Sequence, residues 1–137
     1  MNILILHGPN LQLLEGDLSF DAMEAVIAAH AKTLGHQVKQ VQANAEGPLL
    51  DALVTHRTWL EAIVVNPSSL APIAWGLADA LTLLKKPCIE VQLFAEAQNR
   101  GRSALKGIVG KQFHGRGVEG YLQALKDLAH RVEPKWV

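Results

Sequence analysis

The chain has 137 residues, 49% of them hydrophobic and 19% charged, with a formal net charge of zero. That is enough chain for one packed domain over 1–137 and too apolar for disorder; the balanced charge gives no reason to expect nucleic acid or a membrane surface as a partner. The single cysteine, Cys88, cannot close an internal disulfide, no apolar run approaches the roughly 20 residues of a membrane span, and the opening reads as a strand rather than a leader, so the expected location is the cytoplasm.

Ile3-Leu4-Ile5-Leu6 is a continuous apolar run. Without polar alternation it predicts a strand covered on both faces, as in a parallel sheet. His7-Gly8-Pro9-Asn10 ends it, because Gly and Pro break strands. Ligands of open parallel sheets sit beyond the carboxyl ends of the strands, so His7 and Asn10 are expected to border any site.

Ser19 is a predicted N-cap for a helix carrying Phe20, Met23, Val26, Ile27 and Leu34 on one face, closed by Gly35. Val38 and Val41 alternate with polar residues, which suggests a strand near the sheet edge. Asn44 to Gly47 reads as a loop, Pro48 as an early helical residue, and Leu49, Leu50, Leu53 and Val54 as a helix face. Ala62 to Val65 is another apolar strand, ending at Asn66-Pro67-Ser68-Ser69. A helix with Ile73, Leu77, Ala80, Leu81 and Leu84 follows, then the strand Cys88 to Leu93. Phe94 to Lys106 reads as a polar loop, Gly107 to Gln112 as a weak strand, and Val118 to His130 as the last helix. Alternating strands and helices specify an α/β fold: a five-stranded parallel sheet with helices on both faces.

Several motifs resemble, in order, the type II 3-dehydroquinate dehydratases. They are His7-Gly8-Pro9-Asn10-Leu11-x-Leu13-Leu14, Gln42-Ala43-Asn44-Ala45-Glu46-Gly47, Ile63-Val64-Val65-Asn66-Pro67 followed by Asp79-Ala80-Leu81, Ile89-Glu90-Val91, and Gly115-x-Gly117-x-x-Gly120-Tyr121. The resemblance covers nearly the whole chain. It implies a flavodoxin-like three-layer sandwich of strand order 2-1-3-4-5, with a crevice between the first and third strands. It also implies a homo-oligomer, a trimer or dodecamer; no cofactor is expected. The implied reaction is loss of water from 3-dehydroquinate through an enolate, a step of aromatic amino acid biosynthesis. A lid tyrosine is the base, a lid arginine keeps it ionisable, a histidine is the acid, and an asparagine holds a water against the enolate oxygen.

Residue by residue, Asn10 matches that asparagine and Glu90 the carboxylate that orients the acid histidine. Asn66 matches a substrate-binding asparagine, and Asp79 an aspartate that reaches a neighbouring subunit. Ser68, Gln92, Leu93, Phe94, Arg100 and Arg102 complete the expected ligand-binding set. The remaining matches fail. The lid segment that would lie between Leu14 and Gly16 is absent. The acid histidine falls on Gln92, a second site histidine on Pro72, a third on Ala45, and the substrate-clamping arginine on Ser103. A glutamine is no acid near neutral pH, and losing a general acid or base typically lowers the rate by ~10²–10⁴.

Other residues have plainer readings. Tyr121 is the only tyrosine and is read as packing; His7 as a loop histidine bonded to backbone; Glu15 as an exposed loop carboxylate; Glu46 as a helix N-terminal charge. Gly115 to Gly120 spells a dinucleotide fingerprint, but it precedes the last helix and is read as a tight turn with close helix packing. The six histidines show no paired metal spacing, so no metal is expected. Arg100, Arg102, Lys106, Lys111 and Arg116 read as a solvated basic face, with Arg100 and Arg102 able to replace the clamp lost at Ser103. Trp59, Trp75 and Trp136 are candidate interface anchors, with core packing the default for Trp75.

Three functions stand open. One is a weakly active or inactive paralogue that keeps the crevice for a small polar or carboxylate ligand. The others are a divergent active dehydratase and a different small-molecule enzyme on the same crevice. The residues favour the first.

Overall fold

The apolar run at the start becomes β1, Asn2–His7, an interior strand of a sheet in a computed structural model that describes residues 1–95 and 101–130. Arg100 and Trp136 lie outside the described residues. β1 pairs in parallel with β2, Gln37–Gln42, on one side and β3, Ala62–Asn66, on the other. β4, Cys88–Gln92, and β5, Lys111–His114, complete a parallel sheet of order 2-1-3-4-5. Every residue of β3 and β4 is buried, as expected of central parallel strands.

Helix α1, Phe20–Thr33, starts where Ser19 Oγ accepts the Ala22 N–H at 3.2 Å, the expected cap. It shares one face of the sheet with α4, Glu119–Ala129, over a core that includes Ile3, Ile5, Val64, Ile89 and Val91. Helices α2, Glu46–Thr55, and α3, Trp75–Leu84, cover the other face, over Leu4, Leu6, Ile63, Val65 and Cys88. Side chains alternate between the two faces along each strand, so Ile3, Ile5 and Val64 share one layer and Leu4, Leu6, Ile63 and Val65 the other. Burial, and after it the charge of Glu90, push the Cys88 thiol up, so it stays protonated.

Four sequence expectations need correcting. The last strand begins and ends later than Gly107 to Gln112. Ile108 and Val109 instead pack into the α2–α3 core from a turn, and the half-exposed Lys-Gln-Phe-His stretch makes the edge strand. Val26 and Val54 lie on exposed rather than buried helix faces. Ile73 belongs to a 3-10 turn, Ser68–Ile73, and is exposed; Trp75 is 65% exposed rather than packed in the core. Glu46 heads α2, as read, and its Oε2 also accepts the Leu77 N–H of α3 at 3.0 Å, so the same charge caps the neighbouring helix.

Candidate functional site

β1 and β3 end side by side, with His7 opposite Asn66. The loops beyond them are stitched together. Gly8 N–H donates to Asn66 O at 2.7 Å, and Ser68 Oγ donates to Pro9 O at 2.9 Å. Only glycine fits at position 8, since a Cβ there would stand 2.5 Å from Pro67 O. Asn10 follows in the left-handed conformation at φ 71°, exposed, with its N–H on Asn44 Oδ1 at 3.1 Å. The two asparagines thus share the carboxyl end of the sheet, as the crevice requires.

One polar cluster lies under α1 and α4. Nε2–H of His7 donates to Gln40 Oε1 at 2.9 Å, and the Gln40 amide is fixed by its own bond to Glu24 O. That leaves His7 Nδ1 to accept the Tyr121 hydroxyl hydrogen at 2.9 Å. Tyr121 in turn accepts from Asn66 Nδ2 at 2.9 Å, and Asn66 Oδ1 accepts the Ser68 N–H at 2.9 Å. Burial lowers the His7 pKa from 6.5 to about 4 and raises that of the Tyr121 phenol, so both are neutral near pH 7. The sequence reading of His7 as a loop residue bonded to backbone is therefore corrected: it is the last residue of β1, and its partners are side chains. Tyr121 packs, as read, and also holds this network together.

A second polar cluster lies on the opposite face, at the ends of β4 and β5. Glu90 is fully buried, and its Oε1 accepts from Ser103 Oγ at 3.0 Å and Gln112 Nε2 at 2.7 Å. Gln92 Nε2 donates to Ser68 O at 3.2 Å. Ser68 therefore touches both clusters, its N–H on Asn66 and its carbonyl under Gln92, with its own backbone at φ 53°. His114 stands opposite Gln92 in the strand register, its Nε2 3.8 Å from Glu90 Oε2.

The other expected residues fall as follows. Leu93 points into the α1–α4 core, away from Gln92. Phe94 is half exposed and lines, with Leu14, Met23, Val26, Leu93 and Val118, an apolar cavity of about 60 Å³ next to the loop before α1. Arg102 is exposed, with no ion-pair partner among the described residues. Asp79 is exposed on α3, on the same helical face as Trp75 and Leu83. The sequence reading missed Gln112 and His114 as neighbours of Glu90. The period of two along Gln112-Phe113-His114 would have found them had the strand been placed correctly.

A sequence model of the family described as Dehydroquinase class II matches residues 1–129. The 3-dehydroquinate dehydratase of Dictyoglomus turgidum is 35% identical, over 92% of this chain and 94% of that one. The 3-dehydroquinate dehydratase of Thermotoga maritima is 31% identical, over 97% and 98%. The crystal structure of type II dehydroquinase from Propionibacterium acnes superposes with a TM-score of 0.86 at 30% identity, covering 95% of this chain and 98% of that one. These matches settle the relationship: the chain belongs to the class II dehydroquinase family.

Proposed function

We propose that this protein is a 3-dehydroquinate dehydratase-like paralogue with little or no dehydratase turnover, whose crevice holds a small polar or carboxylate ligand. One observation carries the reading. The only tyrosine, Tyr121, is fully buried and committed to His7 and Asn66, so no phenol reaches the crevice to act as base. The amide of Gln92, at the position the resemblance gives to the acid, is itself held on Ser68 O. Asn10 remains exposed at the rim and can polarise a ligand oxygen through water. A divergent active dehydratase is the second reading, favoured by the retained Asn10, Asn66 and Glu90 and by the names of the relatives.

The test is an ultraviolet assay for the conjugated enone product, using protein free of host dehydroquinase, beside a calorimetric titration with quinate. Quinate binding without turnover supports the proposal; turnover of about 1 s⁻¹ or more, ordinary for an enzyme, overturns it.

Self-association belongs to the same proposal. Trp75, Asp79 and Leu83 recur every four residues on α3, with Trp75 65% and Leu83 80% exposed. A second copy of the chain covering this face would bury both. Light scattering on a Trp75→Ser, Leu83→Ser double variant is expected to give a smaller particle than the wild type.

A further inference from the structure

Two buried side-chain atoms have no hydrogen-bond partner among the described residues, Oε2 of Glu90 and Nε2 of His114, and they face each other across 3.8 Å. Buried polar atoms are almost always paired, so this arrangement needs an explanation. The donors around Glu90 supply it. Ser103 and Gln112 both donate to Oε1, which fixes the carboxylate and leaves Oε2 as a bare acceptor. A bare acceptor 3.8 Å from Nε2 selects the imidazole form that carries a proton on that nitrogen. Glu90 is sealed from solvent, whereas 15% of the His114 side chain stays open. With Nε2 turned to the carboxylate, the ring nitrogen left for a ligand is Nδ1. The ring stands at the carboxyl end of β5, level with Gln92.

We infer that His114 is a ligand-binding residue of the crevice, held by Glu90 as the Nε2–H form so that Nδ1 accepts a hydroxyl hydrogen from a small hydroxylated acid. Glu90 is then a positioning residue. The inference rests on the reading that the crevice binds such a ligand, and it adds the group that recognises the hydroxyl.

Two measurements on the full chain test it separately. In ¹⁵N-histidine NMR at neutral pH, the wild-type His114 ring is expected to carry its proton on Nε2. In Glu90→Gln the new amide oxygen stays with Ser103 and Gln112, so the new NH₂ faces His114 and the neutral ring is expected to reverse to Nδ1–H. A wild-type ring protonated on Nδ1 alone, or a tautomer unmoved by Glu90→Gln, overturns the pairing. In calorimetry with quinate, His114→Phe and Glu90→Gln are each expected to weaken binding about 2- to 10-fold, the effect of one neutral hydrogen bond. Unchanged affinity in both variants overturns the role of His114. Failure of wild type to bind quinate overturns the crevice reading, and the hydroxyl contact with it, while the tautomer still decides the pairing.

Discussion

The Tyr121 hydroxyl donates to Nδ1 of His7 across 2.9 Å, tying α4 to the last residue of β1. The bond sits in a chain of five that runs from Glu24 O through Gln40, His7, Tyr121 and Asn66 to the Ser68 N–H. Each link has one donor and one acceptor only if His7 is neutral. A proton on Nδ1 would leave the phenol hydrogen nowhere to go. The network therefore holds the loop after β3 in place and excludes His7 from acid chemistry at the same time.

Replacing Tyr121 with phenylalanine keeps the buried ring and removes both bonds. His7 Nδ1 then loses its donor and Asn66 Nδ2 its acceptor, both in the core. The expected loss is about 1–3 kcal/mol for each group left unsatisfied. Urea unfolding should show a lower midpoint with an unchanged slope. A midpoint within error of wild type would mean that the network contributes nothing to stability.

The same network predicts an acid limb. His7 has its folded pKa lowered to about 4 from 6.5, so the fold favours the neutral ring. Its contribution is complete above 6.5 and is lost as pH falls from there toward 4, by about 3 kcal/mol at most. His36, also lowered by burial, adds in the same direction. Between pH 6.5 and 5 most carboxylates are still ionised, so a fall in unfolding free energy across that window reports these imidazoles. A flat profile there would contradict the neutral His7.

Much of this architecture was legible, for reasons that differ by element. Ile3 to Leu6 and Ala62 to Val65 are apolar on both faces, and only a central parallel strand needs that. The Ser19 cap and the glycine turn before α4 were equally plain. At Gly120 an added Cβ would lie 3.0 Å from Val91 Cγ1, the close helix packing expected there. β5 was not legible, because an edge strand of Lys-Gln-Phe-His has no apolar run, while the apolar Ile108 and Val109 belong to a turn. Ending the strand two residues early, at Gln112, hid His114 from Glu90. Trp75 was misread because periodicity shows that a face is apolar and not what covers it.

Position 8 gives a second stability prediction. In Gly8→Ala the added carbon would meet Pro67 O at 2.5 Å, so the two loops must part and the bond from Gly8 N–H to Asn66 O weakens. A loss of about 1–3 kcal/mol is expected, as for other overpacked sites. Asn10→Gly is the contrast. Asn10 is exposed at φ 71°, a conformation glycine adopts freely, so stability should hold or rise slightly while quinate binding weakens. A thermal melt beside calorimetry separates the two effects.

The last prediction is that Gln92→His does not create an active dehydratase. Position 92 is where the family resemblance puts the acid, and Glu90 two residues earlier faces the same side, so a histidine there gains a carboxylate neighbour. What it cannot gain is a base. Elimination of water next to a carbonyl begins with removal of a carbon-bound proton, and that needs a group placed on the substrate's open face. Between Leu14 and the start of α1 the chain offers only a short 3-10 turn, Gly16–Leu18, with Glu15 and Asp17 exposed at its start. Tyr121 cannot serve, since burial raises its phenol pKa and its oxygen is fixed between His7 and Asn66. The substitution also removes the amide that holds Ser68 O, so the loop after β3 should become easier to unfold. The expected result is enone formation no faster than in wild type, together with a small drop in melting temperature. Turnover rising by ~10² or more on this one change, the size of a regained acid, would show that a base is already in place and would point the search to Glu15.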